Sequence, residues 1–269
     1  MAYNKVQFQE GLSEPEFDRP YGTEEQCRAV VIAARWPNGF VCPECGRQQQ
    51  SIIKSRGLFQ CSDCRRQTSL IAGTIFAATK IKLRLWFRAL SHITQSKQGI
   101  SSIELGRRLG VRQKTAWSIK HKLQQVMLER DARKRLTGRV EIDDAYLGGE
   151  RTGGKRGRGA AGKTPFVAAV QTTQTGNPVS IKLRRADGFT GEALTAFATK
   201  GLDPACQVVS DGRTYRSISS KHTQHCLADF EYRFNRRLDL KAMIPRLTWA
   251  SVRTPPMPYQ LLKLAEVYA

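Results

Sequence analysis

The sequence predicts a multi-domain α/β protein, with a cysteine-bound ribbon first, a helical pair after it and an α/β domain in the C-terminal half. Three observations carry that expectation. Two Cys-x-x-Cys pairs, Cys42/Cys45 and Cys61/Cys64, stand fifteen residues apart. Apolar residues then recur at helical spacing between Ile81 and Met127. Beyond Val140 the chain turns to short apolar runs divided by turn residues. Periods near 3.6 read as helix, and short β-branched runs bounded by glycine and polar residues read as strand. The expected modules are an N-terminal helical segment (1–40), a zinc ribbon (41–68), a helix-turn-helix region (69–136) and an α/β domain (137–269).

The N-terminal segment contains a helix over Glu24 to Arg35, ended before Pro37. The four cysteines follow. Each Cys-x-x-Cys pair presents two thiolates from one tight knuckle, and two knuckles supply the closed tetrahedral sulfur shell of structural Zn2+. Gly46 sits just past the first knuckle, and Ile52, Ile53, Leu58 and Phe59 suit a short antiparallel hairpin between the pairs. Two disulfides or inert buried thiols are the competing explanation. The first thirty residues carry Glu10, Glu14, Glu16, Asp18, Glu24 and Glu25 and no apolar signal core, so a cytoplasmic location is expected, where disulfides are rare. Cys27, Cys206 and Cys226 read as ordinary free thiols.

Between Ile81 and Ile93, the spacing of Leu85, Trp86, Ala89, Leu90 and Ile93 predicts a helix with one face inward. Ser101 and Glu104 then form a capping-box pattern for a short helix, Gly110 permits a turn, and Ala116, Ile119, Leu123 and Met127 stripe a second helix. That is a helix-turn-helix pattern. In it, Gln113, Lys114 and Thr115 fall at the start of the second helix, within reach of base edges, and Arg107, Arg108 and Lys120 are placed to neutralise phosphates. Short helix pairs joined at glycine also occur in ordinary cores.

Charge favours the first reading. The 269 residues contain 44 Lys and Arg against 23 Asp and Glu, a net charge of +21. From Arg65 to Arg139 there are 18 basic residues and 3 acids, so most of the excess lies in one quarter of the chain. A polyanionic partner, DNA, suits that distribution; a generally solvated basic surface is the bland alternative. No apolar run is long enough to cross a bilayer, and no membrane partner is expected.

In the last module, strands are expected over Val140–Leu147, Phe166–Thr172 and Val179–Leu183, then a helix over Ala193–Thr199 and a strand over Gln207–Ser210. The segment 151–163 holds five Lys or Arg and five Gly without an acid, and its Lys155, Arg156 and Arg158 are candidate phosphate contacts. Asp143 lies in the first strand and Asp211 ends a later one. Two aspartates on neighbouring strands suit divalent metal for phosphoryl transfer, although an Asp at a strand end most often caps a turn.

The stretches Val140-Glu141-Ile142-Asp143-Asp144-Ala145-Tyr146-Leu147-Gly148-Gly149, Ser210-Asp211-Gly212 and Phe230-Glu231-Tyr232-Arg233-Phe234-Asn235-Arg236-Arg237, with the glycine-rich basic loop, resemble bacterial DDE-type insertion-sequence transposases of the zinc-ribbon, ISXO-like group. Gly73-Thr74-Ile75-Phe76, Trp86-Phe87 and Thr115-Ala116-Trp117 resemble the N-terminal half of the same group. The resemblance implies an RNase H-like catalytic domain, Asp143 and Asp211 as the first two ligands of Mg2+ or Mn2+, transposon-end and target DNA as partners, and a place on the bacterial nucleoid. It leaves open a homo-oligomer on DNA. Asp144 replaces the glutamate usual after the first ligand. Family members continue past the second ligand through a helix and a strand to a third active-site residue on a helix. Here too few residues separate Gly212 from Phe230 to hold those elements, so a segment is missing, with the junction near 217–221, and the domain is incomplete after its fourth strand. Asp229, Glu231 and Asp239 are the nearby carboxylates. His222 and His225 read as polar residues of the following helix. Three functions compete: a transposase, a catalytically inactive copy that occupies element ends as a repressor or inhibitor, and a ribbon protein that contacts other proteins.

Overall fold

The computed structural model describes residues 11–96, 99–147, 164–186, 189–210 and 223–264. The chain divides into two compact units: Met1–Val126 with Leu238–Lys263, and Met127–Arg237 with Leu264–Ala269. The segment Leu238–Lys263 thus belongs to the same unit as the N-terminal part of the chain.

The first unit opens with α1 (Glu14–Tyr21) and α2 (Glu24–Arg35). Both begin with reciprocal capping boxes, Ser13 with Glu16 and Thr23 with Gln26, which satisfy amides that the first helical turn leaves open. The ribbon follows as β1 (Gln50–Ile53), β2 (Leu58–Cys61) and β3 (Gln67–Ser69), antiparallel in the order β1-β2-β3. Its hairpin pairs Ile52 with Phe59 and Ile53 with Leu58. The third strand had no separate signal. Trp36, Phe40 and Phe59 close the ribbon's small core, with Trp36 5.0 Å from each of the other two rings.

Helix α3 (Leu83–Gln95) is the centre of this unit, burying Trp86, Phe87, Ala89, Leu90 and Ile93. Phe76 meets Trp86 edge-on at 5.2 Å, and Tyr21 stacks on Phe87 at 4.9 Å. Helix α4 (Ser102–Leu109), Gly110 and α5 (Gln113–Asp131) make the expected helix-turn-helix. Gly110 is left-handed, at φ 65°, a conformation glycine adopts without cost. Gly106 matters more. A Cβ there would lie 3.0 Å from the Val111 carbonyl oxygen and 3.6 Å from the Ala116 Cβ, so its hydrogen lets the two helices approach. The Ser101 cap is only half a box. Its hydroxyl accepts from the Glu104 amide, but the Glu104 carboxylate turns to Arg108 instead. Helices α6 (Gly191–Gly201) and α7 (Thr223–Phe234) belong to the second unit, while α8 (Met243–Ser251) and α9 (Tyr259–Leu264) belong to the first, where Met243, Ile244 and Leu247 of α8 are fully buried.

The second unit is a four-stranded sheet of β4 (Arg139–Leu147), β5 (Thr164–Thr172), β6 (Pro178–Arg185) and β7 (Gln207–Ser210). The order is β6-β5-β4-β7. The first three strands run antiparallel, and β7, reached through α6, runs parallel to β4. This is the RNase H-like arrangement that was expected, and among the described residues the sheet ends at β7. One sheet face carries Val140, Val167 and Ala169 into a core with Phe197 of α6, Leu136 and Leu202. Strand pleating puts Glu141, Asp143 and Ala145 on the other face.

Candidate functional site

The ribbon site is built from two repeated knuckles. The Cys42 amide donates to the Arg47 carbonyl at 2.8 Å, and the Cys61 amide donates to the Arg66 carbonyl at 3.0 Å. The residue after each second cysteine is left-handed: Gly46 at φ 72° and Arg65 at φ 59°. These turns aim four sulfurs at one point. The Sγ atoms of Cys42 and Cys64 are 3.5 Å apart, those of Cys45 and Cys61 are 3.6 Å apart, and all four lie within 4.8 Å of one another. A zinc ion with bonds of about 2.3 Å to four tetrahedral sulfurs requires sulfur separations of about 3.8 Å. The cage fits. None of its cysteines is in a disulfide. Backbone N–H bonds to sulfur, from Cys45 first and also from Glu44, lower the Cys42 thiol to about 7. At Cys64 the Arg66 amide favours the thiolate, but desolvation and the neighbouring sulfurs outweigh it and push the thiol up to about 12. Four thiolates therefore need a cation between them. Cys42 and Cys61 are buried and Cys45 and Cys64 face outward, as in a closed structural site at a module's surface.

On the α/β sheet, Asp143 is half-buried and pairs with Ala168 of β5. Its predecessor Ile142 pairs with Ser210 at the end of β7. Asp211, Lys155, Arg156 and Arg158, and the junction near 217–221, lie outside the described residues.

The helix-turn-helix places its candidates unequally. Arg112, Gln113 and Lys114 are exposed at the start of α5, and a shallow groove at the turn is lined by Ile103, Gly106, Arg107, Arg112 and Gln113. Arg107 and Arg108 are exposed on α4, yet both lie near Glu104, at 3.8 and 2.8 Å. Gln113 donates to the Ser102 hydroxyl, and Thr115 is half-buried. Lys120 donates to the Ile100 carbonyl at 2.8 Å, which ties its ammonium to the fold.

Residues 22–67 match the transposase zinc-ribbon domain of the IS1595 type, and residues 135–215 match the ISXO2-like transposase domain. Two separate stretches of the chain are thus similar to domains of IS1595-type transposases. An uncharacterized protein in transposable element ISH50 of Halobacterium salinarum is 32% identical over 152 residues, which cover 52% of this chain and 49% of that protein. The match thus spans about half the length of that curated relative. No solved structure matches. Among the described residues, no helix is long and apolar enough to cross a membrane.

The transposase match ends at Tyr215, and the three carboxylates that follow it among the described residues are all engaged elsewhere. Asp229 pairs with Arg233 at 2.9 Å, and Asp239 pairs with Arg246 at 3.0 Å. Glu231 accepts from the Leu183 amide at 2.9 Å. The motif around it also works inward. Asn235 accepts from the Ile181 amide and donates to its carbonyl, at 2.8 and 3.0 Å, while Gln224 accepts from the Arg185 amide. Alternate residues of edge strand β6 are thereby bonded by side chains of α7 and its C-terminal flank, a substitute for a further strand. Arg236 stacks over Tyr232 at 3.7 Å and forks onto Asp131 at 2.6 and 2.8 Å. His225 is a buried residue of α7, and His222 lies outside the described residues. Sequence reasoning missed Lys182. The residue is 2% exposed, and its ammonium donates to the carbonyls of Asp131, the last residue of α5, and of Lys134 just beyond it, where a cation complements the helix dipole. The absence of a side chain at Gly201 leaves room for it, since a Cβ there would stand 3.1 Å from the Lys182 Cδ.

Proposed function

We propose that this chain binds insertion-sequence ends through its ribbon and helix-turn-helix, and that its α/β domain is designed for Mg2+- or Mn2+-dependent DNA strand cleavage and transfer. The observation that carries the catalytic reading is the parallel pairing of β4 and β7, with Ile142 opposite Ser210. Asp143 follows Ile142 in β4 and Asp211 follows Ser210 in the sequence, and these two carboxylates would hold the metal. When bound, divalent metal supplies Lewis-acid stabilisation of the attacking and leaving oxygens of an in-line displacement. The chain's own part is to present the carboxylates from a rigid sheet and to hold the DNA backbone with its cationic segments.

The second reading, a catalytically inactive copy that occupies element ends as a repressor or inhibitor, is favoured by the engagement of Asp229, Glu231 and Asp239. A site with two carboxylates retains less charge to hold metal than one with three. The discriminating experiment is cleavage of a supercoiled plasmid bearing the element ends, with Mg2+ or Mn2+. Very weak nicking, unchanged in Asp143→Asn, supports the inactive copy. Robust nicking abolished by Asp143→Asn supports the enzyme and removes the missing-ligand argument.

A further inference from the structure

Helix α5 is used on two sides. Ala116, Ile119, Leu123 and Val126 are buried on one side, 0–2% exposed. About half a turn away, Lys114, Trp117 and His121 follow at intervals of three and four residues and so share the opposite face. In a helix-turn-helix that outward face is the one available to the major groove. Here it is covered. Tyr259, the first residue of α9, sets its ring edge-on to Trp117 with centroids 5.5 Å apart, and the Lys114 ammonium lies 4.9 Å from the same Tyr259 ring. Trp117 is 4.1 Å from His121, which is only 6% exposed, and Leu262 of α9 is fully buried.

The cover is suited to release. The six described residues of helix α9 are too few to be stable without docking contacts, and they follow Pro255, Pro256 and Pro258 on an exposed connection. What docks it includes a cation–π contact that engages the charge on the exposed first turn of α5. That charge cannot serve a ring and a phosphate or base edge with full effect at once. We propose that α9 is an intramolecular competitor of DNA, docking on the outward face of α5 and lowering affinity until it is displaced. This rests on the reading of α4 and α5 as the DNA-binding pair.

The test measures affinity of the full chain for a fluorescein-labelled mixed-sequence duplex by anisotropy. Tyr259→Ala removes both ring contacts and should tighten binding by about five- to tenfold, whereas Tyr259→Phe keeps the ring and should bind as the unaltered chain does. Unchanged or weaker binding by folded Tyr259→Ala overturns the competition. Lys114→Ala in the Tyr259→Ala background separates the two ideas. If it weakens binding while Tyr259→Ala alone does not tighten it, competition fails and the DNA-binding reading stands; if it leaves affinity and salt dependence unchanged, the DNA-binding reading of α5 itself fails. Hydrogen exchange on the unaltered chain needs no substitution: amides of α9 should exchange faster when the duplex is bound, and slower or unchanged exchange counts against displacement.

Discussion

Glu231 shows how one residue can look catalytic in a sequence and act as a scaffold in the fold. It is 3% exposed, and its oxygen holds the Leu183 amide of an edge strand. Burial raises its pKa above the ordinary 4.5, against the lowering effects of the Leu183 hydrogen bond and of Arg184 and Lys182. A carboxyl whose folded pKa exceeds its unfolded one contributes stability that is complete below the unfolded value and is lost as pH rises through the folded value. Glutamine offers the same acceptor without a charge to desolvate. Glu231→Gln should therefore match the unaltered chain in denaturant unfolding at neutral pH, or exceed it, and its stability should fall less between the ordinary carboxylate range and neutrality. Glu231→Ala leaves the amide buried and opens space, costing about 2–4 kcal/mol. A glutamine variant as unstable as the alanine one would show that charge, not the hydrogen bond, is what the site needs.

At the scale of elements, the helix starts divide into those capped locally and one capped from afar. Ser13, Thr23, Ser101 and Thr190 each cap their own helix with a hydroxyl. Lys82, before α3, makes no such bond, and instead the Glu24 carboxylate of α2 accepts from the Leu83 and Arg84 amides at 3.0 Å each. Glu24 thus serves the positive ends of two helices at once. Its loss, Glu24→Ala, should cost about 1–2 kcal/mol in chemical denaturation and Glu24→Gln less, because one acceptor remains; equal costs would mean that charge against the dipoles dominates. The same contrast explains what was legible in the sequence. The cysteine knuckles, the ends of α2, the Gly110 turn and the limits of β7 are written in neighbouring residues, so spacing and turn chemistry revealed them. The Glu24 cap, the bonding of β6 by Gln224, Glu231 and Asn235, and the cover of α5 by Tyr259 join residues 39 to 142 positions apart. No local pattern encodes such pairings. The helix stripe on α5 was read correctly as core, but period alone could not reveal that its other side was covered as well.

Over the whole molecule, a net charge of +21 sets the expected response to salt, but the structure reduces the cations available. Lys120 is held by a carbonyl, Arg236 by Asp131, and Arg107 and Arg108 share Glu104. Each phosphate neutralised by a cation releases counterion, so log affinity should fall against log salt with a slope of about −0.9 per contact. If about five contacts form, the slope is about −4 to −5. Glu104 offers a way to test whether its arginines are among them. Its backbone amide is what the Ser101 hydroxyl caps, so Glu104→Gln leaves that cap intact while removing the negative charge that holds Arg107 and Arg108. If those arginines meet phosphates, Glu104→Gln should bind duplex DNA several-fold more tightly at low salt, and Arg107→Ala should bind more weakly with a slope shallower by about one. Affinity titrations across a salt series distinguish the cases. An affinity unmoved by either substitution would place the DNA away from α4, and an affinity independent of salt would remove the electrostatic basis for DNA binding by this chain.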